Sequence, residues 1–406
     1  MTENQVDKNK ILNNAKKINL AFSVGETSGD INGACLIRNL ISKLDSNLYI
    51  WGIGGWRMKD AGAYILEDTS KMGTIGVIES LKLIPSFLCK YAKFKKELLK
   101  NPPDFFVPID FGVFNSRLAK AMGKANIPVI YYFPPSSWRR TLNRVDALKE
   151  SNARVITPFP WSAEILKSKG IETYYAGHPL VDTVISAKSK DKFYDENNLN
   201  TDNIIGFLPG SRKFEIDSHI KLYIETIKKL KLKYKDAQFL IGATKDYSAY
   251  IKHLLIKHSN EDDFKSIRLI TDETYNLMAY SKFLCCCSGT ATLEAGILGK
   301  PMIIVYHGNK LMQFEYELRK KKINHFIGLP NIVLNEYVCE EILGKEATCE
   351  RLFNEIDKYL DNEELYKHLT EKLSQIKSIL GNSGVIDRIT DIFIELIKDK
   401  NISPLL

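Results

Sequence analysis

The stretch that decides the fold is Cys-Ser-Gly-Thr-Ala-Thr-Leu-Glu-Ala at residues 287–295. The apolar run before it, residues 283–286, predicts a buried strand, and the apolar spacing within and after it predicts a helix. Ser288 and Thr290 are residue types that cap helices, and Gly289 allows a ligand to approach the backbone closely. Free amides in the first turn of a helix bind phosphate. The stretch therefore predicts either a phosphate site or an ordinary capped turn of an α/β protein.

The same alternation of a strand and a helix recurs along the chain. Further apolar runs that predict strands are residues 18–24, 48–53, 104–109, 129–133, 154–158, 173–176, 204–208, 239–243, 267–270 and 302–306. Strands that alternate with helices at such spacings are typical of parallel, doubly wound sheets. We therefore predict an α/β fold.

The length of the chain, 406 residues, predicts about two domains. The best linker candidate is the polar stretch 186–202, which is rich in Asn, Asp and Lys. We place the first domain at residues 1–187 and the second at residues 188–380. Ligands of doubly wound sheets bind at the carboxyl ends of the strands, so we expect two Rossmann-like domains that face a cleft.

Composition excludes several classes of protein. Hydrophobic residues make up 44% of the chain and charged residues 26%, which are globular values. The seven Cys lack paired metal-ligand spacings, and three of them are consecutive at residues 285–287, which favours reduced, buried thiols in a cytoplasmic protein. No 18-residue apolar run, signal peptide, Walker motif or GxSxG motif is present. The net charge of +8 is compatible with an anionic ligand or membrane surface, and equally with neither.

Residues 72–100 combine an excess of apolar residues with a basic segment. The lysines of this segment are Lys90, Lys93, Lys95, Lys96 and Lys100. Such a composition predicts either a surface that touches lipid headgroups or a long core helix with a solvated lysine face.

Two residues of the second half suit a nucleotide. Arg212 follows a Pro-Gly turn, where its guanidinium suits a diphosphate, although a surface arginine that caps its own helix has the same pattern. Glu294 lies about one turn into the helix that begins near Gly289, where a carboxylate can accept hydrogen bonds from ribose hydroxyls.

Acidic residues follow two strands of the first half. Asp110 ends the run 105–109, where a partly buried carboxylate can act as general base towards a hydroxyl or can cap the next helix. Glu26 and Asp30 carry the same ambiguity. His178 could donate to a phosphate, but a lone histidine at that place is more often structural.

Eight motifs, in this order, resemble those of the lipid-A-disaccharide synthase family. They are Gly-Glu-Thr-Ser-Gly-Asp at 25–30, Gly-Gly-Trp-Arg-Met at 54–58, Met-Gly-Thr-Ile-Gly-Val-Ile-Glu at 72–79, Ile-Asp at 109–110 with Phe-Asn at 114–115, Gly-His-Pro-Leu at 177–180, Leu-Pro-Gly-Ser-Arg at 208–212, Ser-Gly-Thr-Ala-Thr-Leu-Glu at 288–294 and Leu-Pro-Asn at 329–331. The resemblance runs from about residue 18 to residue 350 and implies an inverting GT-B glycosyltransferase.

The resemblance also implies a reaction and a set of site residues. The family transfers 2,3-diacylglucosamine from its UDP donor to 2,3-diacylglucosamine 1-phosphate, which forms a β-1,6 disaccharide and releases UDP. The implied UDP-binding residues are Ser211, Arg212, Ser288, Gly289, Thr290, Glu294 and Asn331. The implied catalytic residues are Asp110, as the base, and Glu26, and the implied acceptor-binding residues are Gly25, Ser28, Asp30, Asn115, Ser136 and Trp138.

Further properties follow from the same resemblance. It implies no metal, no cofactor and no nucleic acid, a monomer or homodimer, and peripheral contact with the cytoplasmic face of the inner membrane. It also implies that a last helix, within residues 381–406, crosses back to the first domain.

The chain departs from the family pattern at three places. Val113 stands where the family usually has a second Asp, and residues 134–141 differ from the family's Ser-Pro-Ser-x-Trp-Ala-Trp-Arg. The family's basic residue after the late strand is His307 in this chain. The first two belong to the acceptor side, so a different lipid or sugar acceptor is an alternative. A second alternative is a UDP-sugar 2-epimerase of the same fold, which would turn over its nucleotide sugar without an acceptor. A third is a non-catalytic nucleotide-sugar-binding protein, which would bind UDP without transfer.

Overall fold

A computed structural model describes residues 17–44, 47–69, 72, 77–137, 139–140, 145–307 and 326–399. The chain divides into two compact units, Met1–Pro179 together with Ser383–Leu406, and Leu180–Asn382. This division differs by a few residues from the boundaries at 187/188 and 380/381 that the sequence predicts.

The first unit contains a parallel sheet with helices along the chain between its strands. Its strands are β1 (Ile18–Ser23), β2 (Leu48–Gly54), β3 (Tyr64–Asp68), β4 (Phe105–Pro108), β5 (Ile130–Tyr132), β6 (Arg154–Thr157) and β7 (Thr173–Tyr175). Its first helices are α1 (Thr27–Leu44), α2 (Trp56–Asp60), α3 (Val77–Lys100), α4 (Gly112–Lys124), α5 (Asp146–Glu150) and α6 (Pro160–Ser168).

The strand order of the first unit reverses direction at one point. The order is β3-β2-β1-β4 followed by β5-β6-β7, and the parallel bridges Phe106–Val129 and Ile109–Tyr132 join the two sets. The connections run outward from β1 to β3 on one side and from β4 to β7 on the other. Crevices at the carboxyl ends of strands form at such a reversal, which here lies between β1 and β4.

The second unit repeats this architecture. Its strands are β8 (Ile204–Leu208), β9 (Gln238–Ala243), β10 (Ile267–Thr271), β11 (Phe283–Cys287), β12 (Met302–Tyr306) and β13 (Glu341–Leu343). Its helices are α7 (Leu180–Thr183), α8 (Lys190–Asn197), α9 (Lys213–Lys233), α10 (Lys245–His258), α11 (Glu261–Ser266), α12 (Thr274–Tyr280), α13 (Thr290–Ile297), α14 (Leu329–Leu334), α15 (Cys349–Asp361) and α16 (Glu363–Leu380). The order β10-β9-β8-β11-β12-β13 is parallel throughout, so the reversal lies between β8 and β11.

The central strands of the second unit explain why the fold is readable from the sequence. Every residue of β8 and β11 is buried, including Cys285, Cys286 and Cys287. Strands covered by helices on both faces read as continuous apolar runs rather than as alternating ones. The predicted α/β fold with parallel, doubly wound sheets is confirmed.

Two features of the fold differ from the sequence prediction. Residues 186–202, predicted as a linker, contain α8, whose Phe193 is fully buried. Phe193 is the one buried residue among the eight of this helix. A single buried position gives no helical period, so the polar composition of the segment indicates a linker. The edge strand β3 is also missing from the prediction, because its apolar run is only three residues long, Tyr64–Leu66, before Glu67 and Asp68. Tyr64 and Leu66 are exposed, as is common at a sheet edge.

After α16 the chain returns to the first unit with the helix α17 (Val385–Lys398). Phe393 is fully buried, and its ring lies edge-on to Tyr132 at 6.2 Å between centroids. Lys43 of α1 forms an ion pair with Asp391 at 2.7 Å. An apolar anchor and an exposed ion pair thus attach α17, and the anchor contributes more because solvent weakens the pair.

Replacing Phe393 by Ala should lower the free energy of unfolding by about 3–5 kcal/mol, because it leaves a cavity in the first unit. Urea denaturation measures this loss. The exposed Glu395→Ala in the same helix should change stability by less than about 0.5 kcal/mol. Equal effects of the two substitutions would contradict the anchoring role of Phe393.

Candidate active site

The loops after β1 and β4 lie side by side at the reversal of the first sheet. Ser23, the last residue of β1, pairs in register with Pro108, the last residue of β4. The candidate segments 25–30 and 110–115 follow directly. The structure therefore brings the predicted residues Gly25 and Asp110 to one edge of one sheet.

Asn115 fastens these two strand ends together. Its Oδ1 accepts a hydrogen bond from the Ser23 hydroxyl at 2.5 Å, and its Nδ2 donates to the carbonyl oxygens of Ser23 at 2.9 Å, Asp110 at 3.0 Å and Ile109 at 3.1 Å. The side chain is 0% exposed. A ligand would have to displace one of these bonds, so the contacts favour a positioning role over the acceptor-binding role that the resemblance implies.

Asp110 has a strained backbone and a partly shielded carboxylate. Its φ of 43° is followed by 59° at Phe111 and 40° at Gly112, a left-handed run in which only glycine is free of steric cost. Burial raises the pKa of the Asp110 carboxyl, while hydrogen bonds from the amides of Gly112 and Phe111 oppose the rise. The carboxylate thus contacts the start of α4 and remains partly exposed. The N-cap residue of α4 is Phe111 and no side chain caps this helix, so Asp110 contacts the start of α4 without being its cap. The role of Asp110 as a base stays a prediction.

The loop after β1 is covered by an aromatic ring. A Cβ atom at Gly25 would lie 2.1 Å from Cδ2 of Phe111, so only glycine fits beneath that ring. Glu26 is partly exposed and Ser28 is exposed beside it. These two side chains are accessible to a ligand at the same edge of the sheet.

The carboxylate of Asp30 is hydrogen-bonded to backbone amides of the protein. It is fully buried, and its carboxylate accepts hydrogen bonds from the amides of Gly55 at 2.9 Å and of Arg57 and Met58 at 3.2 Å. These amides begin α2, where a carboxylate is favourable. Asp30 therefore fixes the motif at 54–58, and its predicted contact with an acceptor would compete with three hydrogen bonds.

The remaining residues predicted for the acceptor lie after β5. Ser136 is partly exposed and has a φ of 61°. Trp138 lies outside the described residues. Farther along, His178 is buried against Phe133 and Phe159, and burial lowers its pKa to about 3. A neutral, buried imidazole fits the structural role that the sequence favoured for it.

In the second unit, Glu215 shapes the loop after β8. Its Oε2 accepts hydrogen bonds from the amides of Ser211 at 2.9 Å and Arg212 at 3.1 Å. A Cβ atom at Gly210, where φ is 112°, would lie 2.5 Å from the same oxygen. Arg212 is the N-cap residue of α9, and its guanidinium lies 3.6 Å from Oε1 of Glu215 while 37% of its side chain is exposed. Arg212 therefore both begins its helix and presents a cation to solvent.

The helix after β11 begins without a side-chain cap. The predicted caps Ser288 and Thr290 are wrong, because the N-cap residue is Gly289 and no side chain caps it. Gly289 has a φ of 155°, and a Cβ atom there would have no neighbour within 4 Å. The open space above Gly289 and the uncapped first turn of α13 leave backbone amides available to an anion.

Glu294 lies one turn farther along α13. Burial raises its pKa to about 7, and its Oε1 accepts a hydrogen bond from the Tyr275 hydroxyl at 3.2 Å. A carboxyl group that titrates near neutral pH can donate or accept a hydrogen bond, and both roles suit a ribose diol.

His219 connects the loop after β8 to the end of β12. Its Nδ1 lies 2.7 Å from the carbonyl oxygen of Glu215, and its Nε2 lies 3.0 Å from the amide nitrogen of His307. A carbonyl can only accept and an amide can only donate, so the proton is on Nδ1. Burial lowers the pKa of His219 to about 4, so the ring is neutral near neutral pH. The sequence analysis does not identify this residue, although its place one turn after Glu215 is a usable signal.

Asn331 is a second buried amide that organises a loop. Its Oδ1 accepts from the amides of Val338 at 2.9 Å and Cys339 at 2.7 Å, and its Nδ2 donates to the Cys339 carbonyl at 2.8 Å and the Glu341 carboxylate at 2.9 Å. Both donor positions and both acceptor positions are therefore occupied. Direct binding of UDP by Asn331 stays a prediction that has to compete with these four bonds.

Comparison with known proteins identifies the family to which this chain belongs. A sequence model described as lipid-A-disaccharide synthetase matches residues 20–386, which include all eight motifs quoted above. The chain belongs to the lipid-A-disaccharide synthase family. It is therefore a glycosyltransferase that uses a UDP-sugar donor.

Curated relatives agree with this assignment, and a solved structure agrees with the fold. The lipid-A-disaccharide synthase of Geobacter sulfurreducens is 30% identical over 376 residues, which cover 92% of this chain and 96% of the relative. That of Geobacter metallireducens is 31% identical over 379 residues, with coverages of 93% and 96%. The UDP-GlcNAc 2-epimerase of Neisseria meningitidis, solved with UDP-GlcNAc, superposes with a TM-score of 0.60 at 15% identity and covers 93% of this chain and 99% of its own. The last similarity concerns the fold alone.

Helix α3 has a core face and an exposed apolar face. Phe87 and Tyr91 pack edge-on against Phe114, while Leu88 and Leu99 are 46% and 44% exposed. The exposed lysines of the same part of the helix are Lys93, Lys96 and Lys100. Within the described residues, no helix combines the length and the apolarity that a membrane crossing needs.

Replacing His219 by Gln should reduce the loss of stability on acidification. The folded pKa of about 4 lies below the unfolded value of about 6.5, so the stability present above pH 6.5 is lost as the pH falls towards 4. Between pH 7.5 and pH 5.0, His219 should account for about 2 kcal/mol of that loss, because one proton contributes about 1.4 kcal/mol per pH unit.

Urea denaturation at the two pH values measures this difference. His253→Gln, at an exposed histidine of α10, is the matched control and should leave the pH dependence unchanged. A wild-type dependence that persists in His219→Gln would contradict the assigned tautomer and burial.

Proposed function

We propose that the protein transfers 2,3-diacylglucosamine from its UDP donor to the 6′-hydroxyl of 2,3-diacylglucosamine 1-phosphate, forming a β-1,6 disaccharide and releasing UDP. Membership of the family supports this reaction. The observation that carries the proposal is the placement of Asp110, a partly exposed carboxylate with a raised pKa, at the reversal of the first sheet.

In this proposal the second unit binds the donor. The guanidinium of Arg212 and the free amides at the start of α13 would hold the diphosphate, with Ser211, Ser288, Gly289 and Thr290 lining the loops. As the bond to the anomeric carbon breaks, negative charge grows on UDP, and fixed dipoles and a cation stabilise that charge. Glu294 would bind the ribose hydroxyls.

The first unit would bind the acceptor and remove its proton. Asp110 accepts the proton as the acceptor oxygen attacks the anomeric carbon from the face opposite UDP, which inverts the configuration. A raised pKa brings the carboxylate closer to the basicity that a general base needs. Gly25, Glu26, Ser28 and Ser136 surround the same edge and would contact the sugar phosphate. Asp30 and Asn115 would act by holding the backbone.

Helix α3 would bring the enzyme to its lipid substrates. Leu88 and Leu99 can insert between headgroups while neighbouring lysines attract anionic lipid. Peripheral contact with the cytoplasmic face of the inner membrane, which the family resemblance implies, is part of this proposal.

Replacing Asp110 by Asn should lower kcat about 10²–10⁴-fold while UDP binding is kept, because only proton removal is lost. The assay incubates purified protein with UDP-2,3-diacylglucosamine and 2,3-diacylglucosamine 1-phosphate and quantifies the disaccharide. Asp146→Asn, at an exposed aspartate of the same unit, is the matched control and should retain full activity.

Two outcomes would contradict the proposal. If wild type forms no disaccharide, the reaction is wrong. If Asp110→Asn and wild type form it at the same rate, the assigned base is wrong.

A further inference from the structure

An aromatic cluster joins helix α3 to the loop that carries Asp110. The rings of Phe111 and Phe114 stack at 4.6 Å, and Phe87 of α3 lies edge-on to them at 6.0 Å and 5.0 Å. Tyr91, one turn farther along α3, lies edge-on to Phe114 at 5.7 Å. We call these four residues the aromatic cluster. Two of its members, Phe111 and Phe114, belong to the segment 110–115 that begins with the predicted catalytic base.

Phe111 is the one member of the aromatic cluster that adjoins Asp110 in sequence. Its φ of 59° places an aromatic residue in the left-handed region, between two further left-handed residues. Such a conformation is sterically costly for any residue other than glycine and persists only where the surroundings enforce it. The ring is 7% exposed, so its packing supplies the enforcement.

The same ring closes the neighbouring loop. It occupies the space next to the Gly25 backbone that any larger side chain would need. The amide of Phe111 also donates to the Asp110 carboxylate. One residue therefore touches the loop after β1 through its ring and the carboxylate through its backbone.

We propose that Phe111 is a positioning residue for catalysis, which aims the Asp110 carboxylate and keeps it shielded from water, and that Phe87 of α3 holds Phe111 in place. This inference rests on the proposed role of Asp110 as the base. Without the ring, the left-handed turn relaxes and the carboxylate turns towards solvent. Water then stabilises the charged form, and the carboxyl titrates nearer to its ordinary range.

The test compares Phe111→Ala, Phe111→Gly and Phe87→Leu with Phe94→Leu. Glycine adopts the left-handed turn without strain, so Phe111→Gly separates the need for a ring from the need for the backbone conformation. Phe94 is a buried phenylalanine of the same helix that packs on Trp51 and Phe106 instead. It controls for a general loss of stability in the first unit.

The measurements are kcat, KM for the UDP donor, the pH profile of kcat/KM and the thermal midpoint. We expect Phe111→Ala and Phe111→Gly to lower kcat about 10–100-fold, because displacement of a catalytic group by about 1 Å has such an effect. The acidic limb of the pH profile should move to lower pH, and KM for the donor should stay within about twofold. Phe87→Leu should show a smaller change in the same direction, and Phe94→Leu should lower the thermal midpoint only.

Several outcomes would overturn the inference. Full activity and an unmoved acidic limb in Phe111→Gly would show that only the backbone conformation matters. Parallel losses in Phe94→Leu and the Phe111 variants would show that the aromatic cluster is only structural. If Phe111→Ala does not fold, Phe87→Leu decides, and an unmoved acidic limb there overturns the inference. Asp110→Asn, assayed alongside, distinguishes failure of the base assignment from failure of this inference. If Asp110→Asn remains active, the base assignment fails too. If it is inactive while the Phe111 variants are normal, only this inference fails.

Discussion

The first unit depends on one buried amide. Asn115 bridges the ends of β1 and β4 through one hydrogen bond to a hydroxyl and three to carbonyl oxygens. Its partner Ser23 lies 92 residues away in the chain. A buried amide that lost these partners would cost about 1–3 kcal/mol for each unsatisfied group, so the two strand ends are held to a single arrangement. That arrangement places Asp110 next to the loop at Gly25. The chemistry proposed for the first unit follows from it.

The second unit uses the same device with other residues. Glu215 collects the amides of the loop after β8, His219 connects Glu215 to His307, and Asn331 collects the amides before β13. In each case a largely buried polar side chain forms most of its hydrogen bonds with backbone groups. Arg212 and the start of α13 are the groups left available. Residues that bind and residues that position are thus different residues, even where they belong to one motif.

The sequence predicts the architecture well because each buried strand is encoded by a short, continuous apolar segment of the chain. Continuous apolar runs such as Ile204–Leu208 can be read directly, since strands buried on both faces have no polar alternation. It also places Asp110 and Arg212 after strands, and the parallel order of the strands then brings the right loops together. The edge strand Tyr64–Asp68 is not predicted because its apolar run is only three residues long and is followed by two acidic residues.

The individual side-chain roles are harder to read, because they depend on contacts far apart in the chain. Asp30, Asn115 and Asn331 lie in motifs that suggest ligands, yet most of their partners are backbone groups that only the folded chain brings near. Ser288 has the right type for a cap, but Gly289 occupies that place. Phe111 looks like an ordinary apolar residue, and only the packing of Phe87 and Gly25 around it reveals its position.

The central claim is that one substrate binds where the strand order of each sheet reverses, the acceptor in the first unit and the UDP donor in the second. Binding of the donor can be observed directly. A crystal structure of the protein with UDP is the measurement that tests it. We expect the diphosphate oxygens within about 3 Å of the Arg212 guanidinium and of the amides that begin α13, at ordinary hydrogen-bond distance, with the ribose hydroxyls at Glu294. A nucleotide bound at the amino ends of the strands, or with its diphosphate out of reach of Arg212, would contradict the claim.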